Sequence, residues 1–242
     1  MASHFGAIGM PFTDEESYMD GIRRIADAAE EQVELGDSLI LTWKDSSGAA
    51  LDIVLSQQED GVSLECVAPR FDGGNTAALA VTGVVDDECA GCVTVGVEVH
   101  EGGEMAYPMI VAPARIAAER DKLTATIGTG AATARLGLLA EDVTVFADQE
   151  AMSADETLGK FSSESFIPTG MFGDSAPRVL CNGTVVAAER RLNTLFDTPF
   201  WVLRVHSYGG DYDLVCSTDD LPDGVRVGQI VSATAWVTAD FG

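Results

Sequence analysis

Apolar and polar positions alternate with a period of two over most of this chain, and with a helical period over one stretch only. Tyr18, Ile22, Ile25, Ala29 and Val33 recur at the spacing of one α-helical face. The spacing predicts a helix that runs from a cap at Thr13 to a stop at Gly36. Thr13 and Glu16 have capping-box spacing, and Asp14, Glu15 and Glu16 suit the positive end of the helix dipole. Residues 3–12 are short, apolar and glycine-containing, and read as a first strand ending at Pro11. Three strands follow at 38–44, 49–55 and 62–68, the first two joined by Asp45-Ser46-Ser47-Gly48. The element order expected for residues 3–68 is therefore β-α-β-β-β.

Phe71-Asp72-Gly73-Gly74-Asn75 reads as a linker. Beyond it, strands are predicted at 78–85, 93–100, 107–112, 123–127 and 142–147, with an amphipathic turn of helix at 114–122. Residues 149–178 change texture. Ser153 and Glu156 have capping spacing, and serines, prolines and glycines then mark a segment between domains. From residue 178 the strand pattern resumes, with Phe200-Trp201-Val202-Leu203-Arg204-Val205-His206, a turn at Ser207-Tyr208-Gly209-Gly210, and a return through Cys216.

This last hairpin resembles an earlier one. Val95 to His100, a Gly102-Gly103 turn and Tyr107 to Val111 place His100 where the later hairpin has His206. Thr82-Gly83-Val84-Val85 matches Asn182-Gly183-Thr184-Val185-Val186, and Asp142–Asp148 matches Thr234–Asp240. An internal repeat of two five-strand units is expected, each enough to close a small barrel of the OB type and remove its sheet edges. The fold class is thus α+β and mainly β: an α+β module at 1–74, a first barrel at 75–148, an inter-domain segment at 149–178 and a second barrel at 179–242.

Charge narrows the partners. Lys and Arg number 14 against 39 Asp and Glu, a net charge of −25. Nucleic-acid binding draws on Lys and Arg neutralising phosphates, and anionic membranes are repelled by the same field, so neither is expected as a partner. The first residues lack a basic leader, and no apolar run has the length of a bilayer span, which points to the cytoplasm. Five cysteines, an odd number, are expected to be reduced thiols there. Cys89 and Cys92 have the spacing of a redox pair, but a strand rather than a helix follows them, so Ala90-Gly91 reads as a tight turn.

Candidate chemistry is sparse. No phosphate loop is completed at Gly128-Thr129-Gly130, and no Gly-x-Ser-x-Gly elbow occurs. Arg190 and Arg191, with Trp201 close by, form the local basic and aromatic patch on a predicted loop at 190–199, balanced by Glu189 and Asp197. Together with His206 they are the expected ligand contacts. Trp201, Leu203 and Val205 share one face of their strand and are expected to be core.

The β-α-β-β-β order resembles one module of the vicinal oxygen chelate family, the glyoxalase and bleomycin-resistance group. The resemblance implies a divalent metal held early on the first strand and on the fourth, at His4 and Glu65 in this chain. It covers a quarter of the sequence, and a working site in that family combines two modules, which a homodimer would supply. The opening Ser-His-Phe-Gly-Ala-Ile-Gly resembles uncharacterised actinobacterial proteins, which implies no activity. The sequence thus favours a non-catalytic module that binds a protein or small-molecule ligand and needs no cofactor. The alternative is a metal-dependent small-molecule enzyme.

Overall fold

The computed structural model describes residues 4–35, 37–58, 61–85, 94–101, 105–113, 127, 131–168 and 176–240; at 35, 84–85, 94–101, 105–113 and 131–132 it describes the backbone alone. Residues 123–126 of the predicted strand at 123–127, the helix at 114–122, Cys89, Cys92 and the side chain of His100 lie outside the described set. No described helix is long and apolar enough to cross a membrane.

The described residues begin with a helical turn, α1 (His4–Ala7), where the pattern predicts a strand. Local bonds replace a ladder here: the amides of Ile8 and Met10 both donate to the carbonyl of Phe5. Gly9 then turns the chain at φ 74°, so close to the later part of the chain that a Cβ would stand 2.7 Å from the carbonyl oxygen of Thr198. The long helix is α2 (Glu15–Ala28), capped one residue later than expected. Asp14 Oδ1 accepts from the Ser17 amide at 2.8 Å, and Ser17 Oγ accepts from the Asp14 amide at 3.1 Å.

Helix α2 ends eight residues before Gly36. The chain instead forms β1 (Glu31–Leu35), which adds antiparallel to β2 (Ser38–Lys44) with Leu35 opposite Ser38. Strands β3 (Ala49–Gln58) and β4 (Gly61–Phe71) complete a four-stranded meander. The order of the first module is α-α-β-β-β-β, so the element order behind the vicinal oxygen chelate resemblance is not the one found. Ile22 and Ile25 of α2 pack on Trp43, Leu51 and Ile53 of this sheet, as the helical periodicity requires.

The remaining described strands form one nine-stranded sheet: β5 (Thr76–Val85), β6 (Thr94–Glu101), β7 (Met105–Pro113), β8 (Ala131–Phe146), β9 (Ser165–Pro168), β10 (Arg178–Asn193), β11 (Thr198–Ser207), β12 (Gly210–Ser217) and β13 (Ile230–Asp240). A short helix α3 (Gln149–Ser153), capped by Asp148, precedes β9. The 149–178 segment is therefore not only a connection, because β9 pairs antiparallel with β10.

Two closed circuits of pairing share the β8–β13 ladder. One runs β8, β5, β6, β7, β13, and the other β13, β10, β11, β12, β8. In each, the shared ladder and three further antiparallel pairings are closed by one parallel one, β7 with β13 and β12 with β8. The two halves are thus joined through their long final strands and are not separate barrels. A bulge falls between Val81 and Gly83 in β5 and between Val185 and Ala187 in β10, at matching places in the two circuits.

Strand alternation divides the core in two. Leu138, Val179, Leu203, Val205, Leu214 and Val237 fill one cluster within the nine-stranded sheet. Leu139, Phe200, Val202 and Val215 face the other way and meet α1, α2 and the four-stranded sheet. Trp201, Leu203 and Val205 pack on the first cluster, as their spacing predicts.

Candidate functional site

The bulge at Val186 decides which side chains of β10 meet solvent on the face turned to the first module. Before it, Val185 opposes Val205 and belongs to the core; after it, Ala187 opposes Arg204, Glu189 opposes Val202, and Arg191 opposes Phe200. One extra residue has flipped the parity of the strand, which is what a bulge does in a period-two element. Ala187, Glu189 and Arg191 therefore share a face with Val202 and Arg204 of β11 and Asp213 of β12, while Ala188 packs on the core.

Over this face passes the crossover from β4 to β5. Phe71 and Gly74 of that crossover, with the residues just named and Ala188, line a cleft of about 260 Å³. The crossover is tied down at Asp213, whose Oδ2 accepts the amide of Asn75 at 3.1 Å. Glycine is required at 73, because a Cβ there would stand 2.4 Å from Asp213 Oδ2. A second close approach lies at Gly137 of β8, where a Cβ would meet the Phe71 carbonyl oxygen at 2.8 Å.

The charged groups of the cleft are two ion pairs of similar design. Arg204 donates from Nε and Nη2 to Asp213 Oδ1, at 3.1 and 3.0 Å. Arg191 places Nε and Nη2 each 2.8 Å from Glu189 Oε2, and its Nη1 donates to the Ser47 carbonyl at 3.0 Å. Its guanidinium also stands over the Phe71 ring, 5.8 Å from the centroid. Each guanidinium nitrogen of Arg191 thus has a partner. Among the described residues, Arg204 Nη1 and Glu189 Oε1 have no partner.

Of the predicted ligand contacts, Arg191 lines this cleft. Arg190 is exposed and opposite Trp201, on the other side of the strand. The patch is not a loop at 190–199: β10 continues to Asn193, β11 starts at Thr198, and only four residues turn between them. That turn is docked. The buried Asn193 donates to the Ile8 carbonyl at 2.9 Å, the Arg24 guanidinium donates to the Leu195 carbonyl, and Phe196 meets Phe12 edge to face. Phe200 is fully buried. Phe196 and Phe200 therefore pack against the first module, and Trp201 packs on the core of the nine-stranded sheet. His206 continues the face of Arg204 towards the hairpin turn, outside the cleft, with Nδ1 at 2.7 Å from Asp211 Oδ1.

His4 and Glu65 take up separate roles. His4 is in α1, its Nε2 2.9 Å from Glu141 Oε1 and its ring 4.8 Å from that of Trp236. Glu141 is the extra residue of a bulge in β8 opposite Thr234 and Ala235, and it also accepts from Arg178 at 3.0 Å. Glu65 is the extra residue of a bulge in β4, and it is exposed. Among the described residues no three His, Cys, Asp or Glu side chains converge where a metal ion could be held.

Phe71, Gly74, Glu189, Arg204 and Asp213 were not singled out by sequence as site residues. The available signal was charge inside apolar strands: Arg204 between Leu203 and Val205, and Asp213 between Tyr212 and Leu214. Compared with protein-family models and with curated proteins, the chain matches none.

Proposed function

We propose that this protein is a non-catalytic binding module that takes a small molecule in the cleft between the Phe71–Gly74 crossover and strands β10–β12. The observation that carries this reading is the bulge-set face itself. Alternate residues of three strands, with Phe71 from the crossover, supply apolar walls at Ala187, Val202 and Phe71 and charged groups at Glu189, Arg191, Arg204 and Asp213, which is the mixture small-molecule sites use. Among the described lining residues none is a serine, threonine, cysteine, histidine or lysine, and the two carboxylates, Glu189 and Asp213, are each paired with an arginine, which favours orienting a ligand over chemistry on it.

The same reading takes the two five-strand circuits as copies of one ancestral unit. Their matched order of pairings and their matched bulges support it. In the second copy the outer face carries the cleft. The net charge of −25 speaks against nucleic acid as the occupant.

A mixture of small metabolites added to isotope-labelled protein tests the reading. It should move the amide signals of residues 71–74, 187–191, 202–204 and 213, and every component should be recovered unchanged. Shifts clustered elsewhere, or consumption of a component, would overturn it.

A further inference from the structure

Resting on the cleft assigned above, we infer that its ligand is a small zwitterion bearing one carboxylate and one ammonium group, as a free α-amino acid or a short peptide does. The inference follows from which hydrogen-bonding positions are still open. Arg191 spends Nε, Nη1 and Nη2 on Glu189 and Ser47. Asp213 spends one oxygen on Arg204 and the other on the Asn75 amide. Among the described residues of the cleft, the guanidinium nitrogen with no partner at all is Nη1 of Arg204, and the carboxylate oxygen with none is Oε1 of Glu189. Their side chains are 40% and 61% exposed, so both can reach a guest.

Both groups sit on the same face, because Arg204 opposes Ala187 and Glu189 opposes Val202 in one continuous register. A ligand with a carboxylate at one end and an ammonium at the other satisfies both with charge-assisted bonds. The whole-molecule field points the same way. A chain of charge −25 repels anions such as dicarboxylates and phosphate esters, whereas a zwitterion has no net charge to be repelled. Size agrees: about 260 Å³ is below the roughly 300 Å³ at which sites for drug-sized ligands begin.

The test is calorimetric titration of the native protein with the common α-amino acids and with Ala-Ala, each beside its N-acetyl and its C-amide form, with the cleft amide signals followed in parallel. At least one zwitterion should bind and move those signals, and capping either end should weaken binding by about ten- to a hundredfold. Whether the tighter binder is a free amino acid or the dipeptide identifies the source. Glu189→Gln, which keeps an acceptor for Arg191, should lose the preference for a free amine while its unfolding temperature stays unchanged. Arg204→Lys should lose the preference for a free carboxylate. Capped forms that bind as tightly as free ones, at the same signals, overturn the zwitterion and leave the cleft as a binding site. Silence towards all these compounds, from protein that responds to a broader metabolite mixture in the same cleft, also overturns it. Silence towards both overturns the cleft reading and the inference together.

Discussion

Arg204 and Asp213 stand directly opposite each other across β11 and β12, and two nitrogens of the arginine converge on one oxygen of the carboxylate. The other oxygen holds the Asn75 amide. A single carboxylate, 2% exposed, thus fixes the crossover over the sheet and aims the guanidinium along the cleft.

This double duty predicts a coupling. Gly73→Ala should cost about 1–3 kcal/mol, because its Cβ would overlap Asp213 Oδ2. Asp213→Ala should cost about 1–3 kcal/mol, because the Asn75 amide loses its acceptor. In the double variant the overlap is gone, so the combined loss should be smaller than the sum. Urea unfolding of the four proteins of the cycle measures this.

Arg70 carries a second structural network. Its side chain is 2% exposed, its Nε donates to the fully buried Asp52 at 3.1 Å, and it also pairs with Asp72. Thr42 Oγ1 donates to the other oxygen of Asp52 at 2.6 Å. Arg70→Met strands a buried carboxylate and should cost about 3–5 kcal/mol; replacing Asp52 by Leu in the same chain should recover part of that loss. Denaturant midpoints of the single and double variants decide it.

The docking of α1 should be sensitive to acid. Burial alone pushes the Glu141 carboxyl up, but hydrogen bonds from Arg178 and His4 outweigh it and hold the group below its ordinary value of 4.5. A carboxylate depressed in the fold contributes stability that is whole above pH 4.5 and is lost as pH falls through the lower, folded value. Unfolding midpoints should therefore fall more steeply with acid in the native chain than in Glu141→Gln. The Trp236 indole signal should shift with them, since the His4 ring lies against it.

Thiol chemistry should separate the described cysteines. Burial pushes the thiols of Cys181 and Cys216 up to about 12, and both are fully enclosed. Neither supplies thiolate at neutral pH, so both should stay unlabelled by a thiol reagent until denaturant is added, whereas the half-buried Cys66 labels in the native protein. Peptide mapping of the labelled sites reads this directly.

The mainly β character, the α2 face and the core side of β11 were legible because each rests on a local period. What escaped depended on contacts between distant residues. Residues 31–35 continue the helical pattern through Val33, yet pairing with β2 takes them into a sheet. Residues 4–10 are apolar enough for a strand, yet they are buried as a turn against β11. The cleft was invisible for a sharper reason. Strict alternation carried past Val185 would leave Arg191 and Glu189 on the core side, and only the bulge at Val186 turns them outward. Arg191 was found because it is charged near aromatic residues; its partners were hidden by the parity change and by the distance in sequence to the crossover from β4.

The most direct test of the cleft is to fill it. Ala187 lies on its floor opposite Arg204, and the small side chain leaves the space a ligand would use. Ala187→Trp should leave the unfolding temperature near that of the native chain and abolish the response of the cleft amides to a small-metabolite mixture. A variant that still binds the same component with native affinity would contradict the account, and the site would have to be sought elsewhere on the molecule.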